Sequence, residues 1–161
     1  MSRDNMLIDT KLAMQAQQLP NLLVDQEYGS AAQIMALPAT KLVDILRDPA
    51  ASVYARAKAC QRLAVVGDRS AVAALAVLLT DARLSSYARF ALEPLPDASA
   101  DDALRAALGK VKGRLLAGVI NSIGHRKDAN AIAALEQLRH NPDGEVARAA
   151  DGALARIRPM L

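Results

Sequence analysis

Apolar residues recur along this chain at the 3.6-residue period of an α-helix, in segments that repeat. From about Ser52 to Val66, the residues Ala55, Ala59, Leu63 and Val66 stand at spacings of four, four and three, and so share one helix face. The stretch Arg62-Leu63-Ala64-Val65-Val66-Gly67-Asp68 closes that helix. Gly67 suits the left-handed position after a helix, and Asp68 suits the N-cap of the next. The apolar part of this motif returns at Leu92 with Leu95, at Ile120 with Ile123 and at Leu154 with Ile157, at intervals of 29, 28 and 34 residues. Its glycine position returns as Pro96, as Gly124 and, displaced, as Arg158 before Pro159. A period of this size marks stacked units rather than one closed core.

Each unit reads as two helices. Leu42, Val43, Ile45 and Leu46 line a first helix that begins near Ala39 and ends at Asp48-Pro49. In the second unit Val72, Leu75, Leu78 and Leu79 precede a return helix carrying Leu84, Ala88, Ala91, Leu92 and Leu95. Pro94 falls inside that return helix, and its missing N–H predicts a kink or an irregular last turn. The third unit places Ala103, Leu104, Ala107 and Leu108 before Gly109, then Leu116, Val119, Ile120 and Ile123. Asp97 or Ser99 caps its first helix, and Asp101 and Asp102 suit the helix dipole. The fourth has Ile132, Leu135 and Leu138, a turn at Asn141-Pro142-Asp143-Gly144, then Val146, Ala150, Ala153, Leu154 and Ile157 before Pro159. No alternating run rich in β-branched and aromatic residues signals a strand. The expected fold is all-α, with residues 39–161 as an array of about four helix pairs. Residues 1–38 form a helical cap or a partly ordered leader, with helices over Met6–Gln18 and Ser30–Leu37.

Composition restricts what such an array can be. With one Phe, three Tyr and no Trp, the core falls to Leu, Val, Ile and Ala. Twenty Lys and Arg face 17 Asp and Glu, a mixed surface of net charge +3 that permits nucleic acid without requiring it. A single cysteine, Cys60, excludes an intrachain disulfide, and its place beside Ala59 on an apolar face makes it a packing residue. Asp4 and Asp9 interrupt the apolar stretch an export signal would need, and the run Ala71–Leu79 is too short to cross a bilayer. A soluble, cytoplasmic chain is expected.

Helix pairs of about thirty residues in which Leu-x-x-Val/Ile-Gly ends the second helix resemble HEAT repeats. The closer likeness is to the short bacterial HEAT-like repeats first noted in phycobilisome bilin lyases. Lys58–Gly67, Ala88–Asp97 and Gly118–Gly124 carry it, and it extends over about residues 39–158. The chain is similar to arrays in large multi-domain bacterial proteins of unassigned function. The resemblance implies a right-handed α-solenoid whose second helices line a concave surface. Where the family often places a ladder arginine, this chain has Arg56, Ser85, Gly113 and Ala147, so it departs from a continuous ladder.

Candidate chemistry is sparse. Lys110-Val111-Lys112-Gly113-Arg114 reads as a phosphate-holding helix start or as a solvated turn. His125 and His140 lack a second ligand one turn away, so they read as exposed histidines rather than metal ligands. Arg89 and Glu93, one turn apart beside Pro94, form an exposed pair or line a groove at the kink. No catalytic constellation, metal site or cofactor site emerges. The expected function is a non-enzymatic scaffold that binds a protein partner or a neighbouring domain through its second helices. The contact candidates are Arg56, Gln61, Arg89, Glu93, Lys112, Arg114, Asn121 and Arg148. The resemblance also implies an alternative, an accessory or lyase-like protein for a tetrapyrrole or chromoprotein client. A third reading, nucleic-acid binding through a basic surface, lacks stacking aromatics. The end Arg156–Leu161 has no polar helix to cover its apolar face, so the expectation there is a neighbouring domain, self-association through that end or a truncated array.

Overall fold

In the computed structural model, which describes residues 24–158, the chain enters through a small hairpin that the apolar pattern did not announce. Val24–Asp25 (β1) and Gly29–Ser30 (β2) pair antiparallel, in the register Val24 with Ser30 and Asp25 with Gly29. Strands of two residues are too short to show alternation. Gly29 turns the chain at φ +81°, a conformation that favours glycine. The helix expected over Met6–Gln18 lies outside the described residues.

The remaining described elements are helical. They are α1 (Ala31–Met35), α2 (Ala39–Arg47), α3 (Val53–Val66), α4 (Val72–Leu78), α5 (Ser85–Leu92), α6 (Ala98–Ala107), α7 (Gly113–Arg126), α8 (Ile132–Leu138) and α9 (Gly144–Ile157). Their starts follow the expected chemistry. The side chains of Ser52, Asp97 and Asp143 accept from backbone amides at the starts of α3, α6 and α9. Asp68 and Asp128 cap short 3₁₀ turns that lead into α4 and α8.

Helices pack as pairs, α2 on α3, α4 on α5, α6 on α7 and α8 on α9. Each second helix also packs on the next, α3 on α5, α5 on α7 and α7 on α9, while α2 meets α4 and α4 meets α6. The apolar residues read from the sequence fill the space between, with Leu42, Leu63, Leu75, Leu92, Ile120 and Leu135 fully buried. The second helices run in one direction. Glu93 and Pro94, at the end of α5, line one depression with Val65 near the end of α3 and with His125 near the end of α7. Gly113 lies near Asp143 at the starts of α7 and α9, and Gly124 meets Ala153 near their ends.

Two glycines serve differently from the expectation. Gly67 is extended at φ −71°, not left-handed. A Cβ there would stand 2.4 Å from the Leu63 carbonyl oxygen, so close approach rather than handedness requires glycine. Gly124 does not stop α7. The helix continues to Arg126, and Lys127 takes the left-handed position at φ 57°. A side chain at Gly124 would stand 2.7 Å from the Ala153 Cα, so this glycine lets α9 close on α7. Pro94 does not kink a helix interior, because α5 ends at Leu92 and an irregular turn follows.

Candidate interaction surface

The return helix α5 is the irregular member of its row, with 8 residues against 14 in each of α3, α7 and α9. Pro94 and Pro96 deny amides to its end, so the carbonyls there need donors from elsewhere. Arg126, from the last turn of α7, supplies them. Its Nη1 donates to the oxygens of Leu92 (2.9 Å), Glu93 (2.9 Å) and Leu95 (2.7 Å), and its Nη2 donates to that of Asp97 (3.2 Å). Asp101 grips the same guanidinium at 2.5 and 2.9 Å. That bond raises the Arg126 pKa against the opposing effect of burial.

A second link joins the middles of these helices. Arg89 Nη1 donates to the Gly118 carbonyl at 3.1 Å and to the Ser122 hydroxyl at 3.3 Å, and that hydroxyl donates to Glu93 Oε1 at 2.7 Å. Gly118 admits the arginine, since a Cβ there would stand 2.8 Å from Arg89 Cζ. Burial lowers the Arg89 pKa, and the charge of Glu93 partly offsets it. Arg89 and Glu93 are therefore joined through Ser122 rather than forming an isolated exposed pair.

With Arg89 turned into α7, the next residue points away from the core. Phe90, the only phenylalanine, is 56% exposed, and Val65 on α3 is 75% exposed. They share a depression of about 360 Å³ with Ala64, Glu93, Pro94 and His125, which spans α3, α5 and α7. Phe90 also borders a second depression, of about 370 Å³, lined by Gln61, Ser86 and Tyr87. Beside it, Lys58 Nζ lies 5.6 Å from the Tyr54 ring centre and bonds Gln61 Oε1 at 3.2 Å. Asn121 is exposed on α7, one turn before the exposed His125.

The other contact candidates fall elsewhere. Arg56 Nη2 donates to the Asp48 carbonyl at 2.6 Å, which holds the end of α2, and Arg56 lines a separate depression with Leu46, Pro49 and Val77. Thus Tyr54-Ala55-Arg56 and Tyr87-Ala88-Arg89, though identical, send their arginines to different partners. Lys112 is the N-cap of α7 without a side-chain bond, and Arg114 and Arg148 are exposed. Cys60 is fully buried, and desolvation pushes its thiol up to about 12, away from reactivity. Among the described residues, no group of three or more His, Cys, Asp or Glu converges to hold a metal ion. None of the described helices is long and apolar enough to cross a membrane.

Phe90, Val65 and Arg126 were absent from the candidates. For the first two a signal existed, since each falls off the apolar face of its helix, beside the buried Ala91 and near the buried Leu63. Arg126 gave none, because its partners are backbone oxygens about thirty residues earlier. Compared with known proteins, the chain matches no family model and no curated protein sequence.

Proposed function

We propose that the chain is a non-enzymatic binding module, a right-handed HEAT-like α-solenoid whose second helices present a docking surface for a protein partner. One observation carries the reading. Phe90 and Val65 stand exposed side by side on different helices, in one depression with Pro94 and His125. Large apolar side chains clustered in this way mark interaction sites more often than apolar residues scattered singly. Burial of a Phe or Val side chain contributes roughly 1.5–3 kcal/mol, so a partner covering both gains from each. The pairwise packing of α2 to α9 and the common direction of the second helices support the solenoid reading. Among the described residues, the first-helix side offers one exposed residue of this kind, Val77, in its own depression.

Site-specific photo-cross-linking tests the proposal. A benzophenone side chain placed at Phe90, Val65 or Asn121 should give one dominant protein adduct in the source cell. The same group at Ala73 or Ala133, exposed on α4 and α8, should not. Equal adduct patterns from both sets, or none from the first, would remove the proposal.

A further inference from the structure

We infer that the partner docks with an acidic segment carrying one large apolar side chain. The apolar group enters the depression between Val65, Phe90 and Pro94, and the carboxylates lie toward the starts of α7 and α9. This rests on the docking face proposed above and adds the chemistry of its occupant.

The first observation is a local excess of positive charge. Seven acids of the described residues are held in ion pairs. Arg105 holds Asp102 and Asp128, Arg126 holds Asp101, and Arg139 holds Glu136 and Asp151. Arg158 also reaches Glu136, and Lys41 and Arg83 pair with Asp44 and Asp81. Lys110, Lys112, Arg114 and Arg148 enter none of these ion pairs. All four stand at or near the starts of α7 and α9. Asp143 and Glu145 lie there too, but Asp143 Oδ1 accepts the Glu145 amide as the cap of α9. Two acids against four cations leave this end positive. Because the second helices run in one direction, the positive ends of their dipoles add to it.

The second observation is spacing. Arg114, Gly118, Asn121 and His125 stand at i, i+4, i+7 and i+11 on α7, which puts them on one stripe. Arg114 and His125 are separated by roughly 16 Å at 1.5 Å per residue, the length of about five extended residues or three helical turns of a partner. At Gly118 the Arg89 guanidinium lies over the stripe and adds a cation there, and Asn121 offers an amide beside it. A short segment with its anchor beside His125 therefore brings carboxylates to Arg114 and Lys112. Nucleic acid fits less well. Phe90 offers the depression a single apolar ring for a base to stack on, and Glu93 beside it repels phosphate.

A titration of the isotopically labelled full chain, followed by backbone NMR, tests this with synthetic peptides. The probes are a Glu-rich peptide with one central Leu, its Gln-rich and Lys-rich counterparts, and a single-stranded oligonucleotide. The Glu-rich peptide should move the resonances of Phe90, Asn121 and His125 and bind at least tenfold tighter than the Gln-rich one, less so at high salt. Lys112→Glu with Arg114→Glu should weaken it about tenfold, the effect of reversing two exposed charges. Phe90→Ser should weaken the Glu-rich and Gln-rich peptides alike. If the Gln-rich or Lys-rich peptide binds these residues as well or better, the acidic partner is wrong while the docking face stands. Tighter binding of the oligonucleotide at the same residues, or no shift from any peptide, overturns the inference. The cross-linking from position 90 decides the docking face independently.

Discussion

Two contacts of α7 differ in how they are built. Toward α9 the approach is close and small, with the backbone at Gly124 lying against Ala153 and no side chain between. Toward α5 it is polar, with Arg89, Ser122 and Glu93 linked across the middle and Arg126 holding four carbonyls at the end. The difference follows from Pro94 and Pro96. A helix cut short by prolines cannot satisfy its last carbonyls, so a neighbour must donate to them. The same shortening leaves Phe90 and Pro94 beside Val65 on the open face. Irregularity and the apolar surface thus share one cause, and the docking face lies where the row of second helices is interrupted.

The largest expected effect comes from removing the clamp. Arg126→Met should lower the unfolding free energy in denaturant by about 3–5 kcal/mol, since it strands Asp101 and the α5 carbonyls. Arg126→Lys should recover little, because one ammonium cannot reach the positions a planar fork serves. The glycines come next and separate the two contacts. Gly124→Ala sets a methyl against the α9 backbone and should cost about 2–3 kcal/mol. Gly118→Ala meets only the tip of Arg89, and the gain in helix propensity of about 1 kcal/mol offsets most of that cost. Similar losses from the two would erase the distinction. Ser122→Ala should cost about 1–2 kcal/mol through the partners it leaves unmet.

Acid should weaken the hairpin, which lies away from both contacts. Burial tends to raise the Asp25 pKa, but bonds from the Ser52 hydroxyl and the amides of Tyr28, Glu27 and Ser52 outweigh it, so it is lowered. The bond from the Tyr28 hydroxyl lowers the Asp48 pKa, and the same bond pushes the phenol up to about 12. The folded chain therefore binds fewer protons than the unfolded chain. The stability from these carboxylates is complete above about pH 4 and is lost as pH falls through their folded values. Thermal unfolding between pH 6 and pH 2.5 should show Asp25→Asn with a shallower acid decline than the parent chain.

The helical units were legible because their cores use period alone. Leu42, Leu75, Leu104 and Leu135 were all read as inward-facing and all are buried. The caps at Asp68 and Asp97 were legible for the same local reason. What escaped depends on distant chain. Gly67 does follow the end of α3, though extended against the Leu63 carbonyl rather than left-handed, whereas Gly124 lies inside α7 and is fixed by a helix about thirty residues away. Of the contact candidates, Gln61, Glu93 and Arg56 line depressions, while Arg56 and Arg89 also donate to backbone carbonyls. Long polar side chains can be read as outward from sequence, but where their heads bind cannot.

The central claim is that the exposed apolar residues of the docking face, Val65 and Phe90, are separate from those that pack the same helices. The unfolding free energy of the double variant Val65→Ser and Phe90→Ser tests it most directly. Both residues lie off the core, so the value should stay within about 0.5 kcal/mol of the parent chain. A loss above about 2 kcal/mol, as for truncation in a packed core, would show that these side chains serve the fold and would contradict the claim.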